Sequence, residues 1–140
     1  MAEQQARAYL DEAELTIESA EAIYERAKRT GKQLWSKVVK EAYDAMENCV
    51  MAALAKVHVD IPRYHPAKTA TFISQFKLGG TDTAEILTKW LARRSRARYV
   101  DFNETGKLRV PLDEFGEADA PEALRDCKKV LGFVRGLVEK

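Results

Sequence analysis

Cys49-Val50-Met51-Ala52-Ala53-Leu54-Ala55 is a run without a charge or hydroxyl, and it closes a stretch from about Gln33 to Val57 that repeats with a helical period. Trp35, Val38, Ala42, Met46, Cys49 and Ala53 fall on one face of that helix at about 100° per residue. In its second half the apolar character runs almost all round. A helix with no wet side is covered on both sides, so other helices must surround this one. Met51 and Leu54 project toward the second covered side. Two occupants fit there, a second copy of the chain or a long neighbouring loop of the same chain.

Helical periodicity continues in both directions. Upstream, Ala2 to about Arg29 is rich in Ala and Glu, with Tyr9, Leu10, Ala13, Ile17, Ala20, Ile23, Tyr24 and Ala27 on one stripe. Gly31 is placed as a left-handed stop. Downstream, Pro62 ends a break from His58 to Tyr64. His65-Pro66 then reads as an N-cap followed by proline at the first helical position. Phe72, Ile73 and Phe76 carry this third helix as far as Gly79-Gly80. Thr81 or Asp82 caps a fourth, with Glu85 placed as in a capping box. Between residues 99 and 111 the period shifts to two, which predicts either a small β-hairpin or an extended loop. An acidic connection from Pro111 leads to Asp119, read as the cap of a last helix. Its stripe is Leu124, Cys127, Val130, Leu131, Val134, Leu137 and Val138. The predicted fold is all-α, an up-and-down antiparallel bundle of about five helices forming one domain over residues 1–140.

Composition sets outer limits. Among 140 residues, 23 Lys and Arg face 22 Asp and Glu, a net charge of +1. A polycation that coats nucleic acid is excluded, and any basic surface must be local. No apolar run approaches the roughly 20 residues that span a bilayer, so no membrane association is expected. The N-terminus lacks the basic-then-apolar pattern of a secretory signal. Cys49 and Cys127 lie at apolar helical positions without CxxC spacing and read as reduced core residues of a cytoplasmic protein. Templates for dinucleotide, P-loop, zinc-protease, nucleophile-elbow and EF-hand sites are absent, and two histidines are too few for a dedicated zinc site. No cofactor and no metal is expected.

The residues with chemical potential converge on Thr83–Phe102, where Arg93, Arg94, Arg96 and Arg98 fall within six positions. By helical phase Arg94 and Arg98 lie on the face of Leu87, Trp90 and Leu91, whereas Arg93 and Arg96 form a solvated basic edge. An inward-pointing arginine needs a carboxylate or an anionic ligand. Glu47, about 140° from the centre of the main apolar face of its helix, is the carboxylate expected to pair with Arg94 or Arg98. Tyr99 and Phe102 beside the arginines give an Arg-plus-aromatic surface of the type that holds nucleotides or single-stranded RNA. His65, at the head of a helix, reads as a cap or, when protonated, an anion ligand.

Taken in order, Ala42-Tyr43-Asp44-Ala45-Met46-Glu47-Asn48-Cys49-Val50-Met51-Ala52-Ala53-Leu54, then His65, Arg98-Tyr99 and Asp119-Ala120, resemble the pattern of HEPN domains over most of the chain. The resemblance implies a helical bundle that forms a homodimer. It also implies a prokaryotic partner of a minimal nucleotidyltransferase, in pairs of toxin–antitoxin type whose HEPN member cleaves RNA. Active members carry an arginine followed at short spacing by a histidine, Arg-x(4–6)-His. Here Tyr99, Val100 and Asp101 stand at that spacing from Arg94, and Asn103, Glu104 and Thr105 from Arg98. The leading expectation is therefore a dimeric nucleotidyltransferase partner that binds nucleotide or RNA phosphate through Glu47, Arg94, Arg98 and Tyr99. A divergent metal-independent ribonuclease using His65, Arg94 and Arg98 as catalytic residues is the first alternative. A non-catalytic interaction module is the second. Whether the chain is an enzyme stays open at this stage.

Overall fold

The computed structural model describes residues 2–140; Met1, the first residue of the expected domain, lies outside them. Six helices and one two-stranded ribbon follow in the order α1 (Ala2–Thr30), α2 (Trp35–Lys56), α3 (His65–Gln75), α4 (Asp82–Arg98), β1 (Asp101–Phe102), β2 (Leu108–Arg109), α5 (Pro111–Glu114) and α6 (Asp119–Val138). The all-α bundle expected from periodicity is the fold observed. The additional helix is the single turn α5, which Pro111 opens inside the acidic connection.

Helix α2 is the axis of the molecule. It packs against α1, α3, α4, α5 and α6, and Val38, Val39, Met46, Cys49, Val50 and Leu54 are almost entirely removed from solvent. Leu54 has no exposed surface in the single chain. The Val59 amide donates to the Leu54 carbonyl at 3.0 Å, and Val59 and Ile61 fold back onto the core. The returning segment of the same chain therefore covers this side of α2, and Leu54 needs no second copy to bury it. On the opposite flank α1 contributes Ala6, Leu10, Ala13 and Ile17. The small alanines let α1 and α2 approach closely after a connection of only four residues.

The ends of the helices refine the sequence reading. Gly31 adopts φ 73° and its amide closes α1 onto the Ala27 carbonyl at 2.9 Å. Thr81 caps α4, its hydroxyl accepting from the Ala84 amide at 3.3 Å. Two expected caps are displaced by one residue. Tyr64 precedes α3 and His65 is already helical; Ala118 precedes α6 and Asp119 is already helical. Asp119 accepts instead from the Gly116 amide at 2.8 Å and from Arg93 at 3.1 Å. Residues 99–111 hold a hairpin whose strands are two residues long, with Asp101 opposite Arg109 and Phe102 opposite Leu108. Asn103 organises its turn, its side-chain oxygen accepting from the amides of Thr105 and Lys107 at 3.0 and 2.9 Å.

One buried polar group ties α4 to α6. The Asp126 carboxylate is 5% exposed and accepts from the indole N–H of Trp90 at 2.8 Å and from Lys89 at 2.7 Å. Cys49 and Cys127 are free and buried, and burial pushes both thiols up to about 12, as expected of unreactive core cysteines. No helix among the described residues is long and apolar enough to cross a membrane.

Asp126→Ala leaves the Trp90 indole N–H buried without an acceptor and is expected to cost about 2–3 kcal/mol in urea unfolding. Asp126→Asn keeps an oxygen for the indole and loses chiefly the Lys89 charge pair, so its loss should be about half as large. Equal stabilities for the two variants would show that the indole bond contributes nothing.

Candidate functional site

Three helices bring the polar residues of the core face together. On α2, Tyr43, Asp44 and Glu47 lie within one turn of each other, so they share a side. On α3, His65 and Lys68 are three apart and also share a side. On α4, Arg94 and Arg98 are four apart. Packing of α3 and α4 on α2 makes these three rows meet.

Glu47 is the centre of the arrangement. Its side chain is 12% exposed, and one carboxylate oxygen accepts from Lys68 Nζ at 2.9 Å while the other meets His65 Nδ1 at 2.5 Å. Burial works to push the Glu47 carboxyl up. The bonds to Lys68 and His65 outweigh it, and the group lies below the usual carboxylate range. Tyr43, 3% exposed, stands beside Glu47 and Thr69 within reach of the Arg94 charge. Burial, reinforced by the Glu47 charge, pushes its phenol up, so it remains a neutral donor. With Nδ1 engaged by the carboxylate, Nε2 is the imidazole nitrogen left for a ligand or a proton.

The expected pairing of Glu47 with an arginine is not the one formed. Its partners are His65 and Lys68, both from α3, and Arg98 Nη2 donates to Asp44, one turn earlier on α2. Lys40 extends this second group, bonding Glu41 at 3.1 Å and Asp44 at 3.4 Å. Lys68 and Asp44 are the participants that reading the sequence did not single out. The spacing Lys68 from His65, and Asp44 from Glu47, was the available signal, since each pair is three apart.

The two arginines of α4 share one feature. The Nε atoms of Arg94 and Arg98 are both buried, and neither has a hydrogen-bond partner. Arg98 retains Asp44, while no carboxylate among the described residues forms an ion pair with Arg94. The outward arginines differ from a solvated edge in one respect. Arg96 is exposed, but Arg93 lies 4.9 Å from the ring centre of Trp90 and 4.8 Å from that of Phe115, and it pairs with Asp119. Arg93 is thus a packing residue joining α4, α5 and α6. Tyr99 is 54% exposed just beyond the end of α4 and takes no part in the Glu47 cluster. No group of three or more His, Cys, Asp or Glu among the described residues is placed to hold a metal ion. A surface hollow between the start of α1 and the end of α6 has its charges already matched, Arg7 with Glu139 and Lys56 with Glu3.

Compared with known families, the chain matches the HEPN domain over residues 4–137. No curated protein matches it.

The Glu47–Lys68 pair has a definite pH signature. Because the folded Glu47 carboxyl lies below its ordinary value of 4.5, the pair stabilises fully above that value and is lost as pH falls through the lower folded one. Lys68→Met should therefore destabilise by roughly 3 kcal/mol at neutral pH. The gap from wild type should close as pH falls below about 4.5, because Glu47 is then neutral in the variant. Urea unfolding at about pH 7 and about pH 3.5 measures both ends; a gap of equal size at the two would mean that the charge of Glu47 is not what holds α3 on α2.

Proposed function

The chain belongs to the HEPN domain family, and from that premise we propose that it binds the phosphate of a nucleotide or RNA at the meeting of α2, α3 and α4. The observation that carries this reading is the pair of buried, unpartnered Nε–H groups on Arg94 and Arg98. A buried donor without an acceptor is costly, and a native structure supplies one from water, an ion or a ligand. Guanidinium donors match the tetrahedral oxygens of phosphate, and two of them one helical turn apart address adjacent oxygens or successive phosphates. Lys68 and His65 hold Glu47 and Arg98 holds Asp44, so neither α2 carboxylate is left unpaired to repel an anion. Tyr99 and Tyr64, both exposed, supply aromatic surface for a base. Such a protein acts as a cytoplasmic homodimer and as partner of a nucleotidyltransferase in a toxin–antitoxin pair.

A second reading, a divergent metal-independent ribonuclease, draws support from one distance. His65 Nδ1 lies 2.5 Å from Glu47, the arrangement by which a carboxylate orients an imidazole so that Nε2 takes a proton. In that case Nε2 removes the proton of a ribose 2′-hydroxyl, the oxygen attacks the adjacent phosphate held by Arg94, and the 5′-oxygen leaves with a proton taken from water. The products are a 2′,3′-cyclic phosphate and a 5′-hydroxyl end. The chain lacks an Arg-x(4–6)-His spacing, so binding is the leading reading.

Titrating wild type and Arg94→Gln with a labelled short RNA and with ADP, at about 50 and about 200 mM salt, tests the binding site. Arg94→Gln is expected to lose about 10- to 100-fold in affinity with a shallower salt slope. Equal affinities would remove the arginine cleft from consideration. Incubating RNA with wild type and with His65→Ala in the presence of a chelator separates the second reading. Cyclic-phosphate ends from wild type alone would promote it over simple binding; intact RNA in both samples would leave binding in place. The partner relation predicts co-purification with a co-expressed nucleotidyltransferase encoded beside this chain.

A further inference from the structure

Charge along α1 is segregated. Ala2–Glu25 carries seven acids against one base, Arg7, whereas Arg26–Lys40 carries six bases and no acid. The switch falls at the corner where α1 gives way to α2. Lys28 pairs with Glu25, and Lys40 with Glu41 and Asp44. Arg26, Arg29, Lys32 and Lys37 are exposed, and none of them forms an ion pair among the described residues. The corner itself is firm. Tyr24 and Trp35 meet edge to face with ring centres 6.1 Å apart, and both pack on Ala20, Val38, Ala120 and Leu124.

Helix electrostatics does not account for this run. The carbonyl end of α1 holds about half a negative charge, which one or two cations satisfy. The first turn of α2 is the positive end of a dipole, where acids are favoured, yet it carries none and holds Lys37 instead. Like charges thus crowd a short, rigid stretch at a cost that an anion relieves. The surroundings indicate which anion. Every exposed large apolar side chain lies outside residues 16–56, so the corner offers nothing to a bilayer interior or to the apolar centre of a protein interface. Lys37 and Asp44 are seven apart and share a side of α2, about 10 Å from each other along the axis. Asp44 is the residue that holds Arg98, and Lys40 bonds it at 3.4 Å. Corner and arginine row therefore lie on one flank, about three nucleotides of a stacked strand apart, and a linear polyanion reaches both. The acids between them, Glu41 and Asp44, are matched by Lys40 and Arg98.

We propose that the α1–α2 corner is a second RNA contact, in which Arg26, Arg29, Lys32 and Lys37 hold backbone phosphates of a single strand that also places a phosphate at Arg94. This rests on the phosphate site proposed above and makes its ligand a strand in preference to a free nucleotide. The two contacts differ in kind. The arginine row takes one phosphate in a half-buried setting, whereas the corner adds exposed charge that reads no base and is screened by salt.

Anisotropy titrations with a labelled single-stranded RNA of about 12 nucleotides and with labelled ADP, at about 50 and about 200 mM salt, decide the matter. Wild type is compared with the corner variant Arg26→Gln/Arg29→Gln/Lys32→Gln/Lys37→Gln and with Arg94→Gln. An equal charge change elsewhere, Lys77→Gln/Lys107→Gln/Lys129→Gln/Lys140→Gln at four exposed positions, serves as the control. The corner variant is expected to lose about 100-fold in RNA affinity at the lower salt, with a log–log salt slope shallower by about 2–3, and to keep its affinity for ADP. RNA binding equal to wild type, or losses as large in the control, overturns the corner and leaves the arginine site standing. Equal losses for RNA and ADP also overturn it, since the effect then lies at the arginine row. A loss in the corner variant with none in Arg94→Gln upholds the corner and removes the phosphate site. A wild type that binds no RNA overturns both, including where it binds phosphatidylserine vesicles instead. Should the corner variant lose helical circular dichroism, Lys32→Gln/Lys37→Gln takes its place, with about half the change in slope expected.

Discussion

Helix α2 is buried on nearly every side, and a helix in that position carries charge only where a neighbour delivers the opposite charge. Glu47 sits in its middle with 12% of its side chain exposed. Left alone there, its carboxyl would lose several kcal/mol of hydration and titrate upward. Lys68 and His65 reverse that by bonding one oxygen each. The consequence is geometric as well as electrostatic. Both partners belong to the first turn of α3, a helix of 11 residues with few fully buried apolar side chains, chiefly Phe72. The short helix is thus located on α2 by one carboxylate and a small apolar contact.

The basic end of α4 then divides by task. Arg93 stacks between Trp90 and Phe115 and pairs with Asp119, which fixes the α4–α6 contact. Here the aliphatic stem and planar head supply packing. Arg98 holds Asp44. Arg96 is exposed and meets solvent. Arg94 alone approaches the α2–α3 cluster without a carboxylate of its own. A uniform basic patch would attract any polyanion; this distribution leaves one guanidinium, within reach of Tyr43, without a carboxylate, which suits the localised anion proposed above.

Much of this was legible in the residues, and the rest fails for physical reasons. Period and punctuation located all the long helices, because Gly31, Pro66 and Thr81 act on the backbone next to them. Caps at His65 and Asp119 were misplaced by one residue, since a polar side chain at a helix start serves either the helix amides or a tertiary partner, and both residues went to the latter. Helical phase correctly turned Arg94 and Arg98 inward and placed Glu47 on a covered side. It could not assign partners. Asp44 and Glu47 are one turn apart on the same side, so which of them faces α3 and which faces α4 depends on helix crossing, which periodicity does not contain. Arg93 was misjudged for a related reason. Phase pointed it away from α2, but α5 and α6 supply a second surface there, from residues some 20 to 30 positions downstream.

The charge count at the site bears on binding against cleavage. Asp44 and Glu47 supply two negative charges, and Lys68, Arg94 and Arg98 supply three positive ones. One positive charge is left over before His65 is considered, and it resides on Arg94, which shares a buried, unpartnered Nε with Arg98 but has no carboxylate of its own. A structural network of this kind ordinarily balances, because a charge drawn partly out of water without a partner is costly, and Arg94 is half-buried. The imbalance is tolerable if an anion completes it. Proton transfer demands more, namely a donor or acceptor that is free to move. His65 Nε2 is such a group, its Nδ1 being held by Glu47, but no histidine stands at the Arg-x(4–6)-His spacing from an arginine. The excess charge therefore argues for an anion held in place, and the tied imbalance of Arg94 is better suited to gripping a phosphate than to breaking its ester.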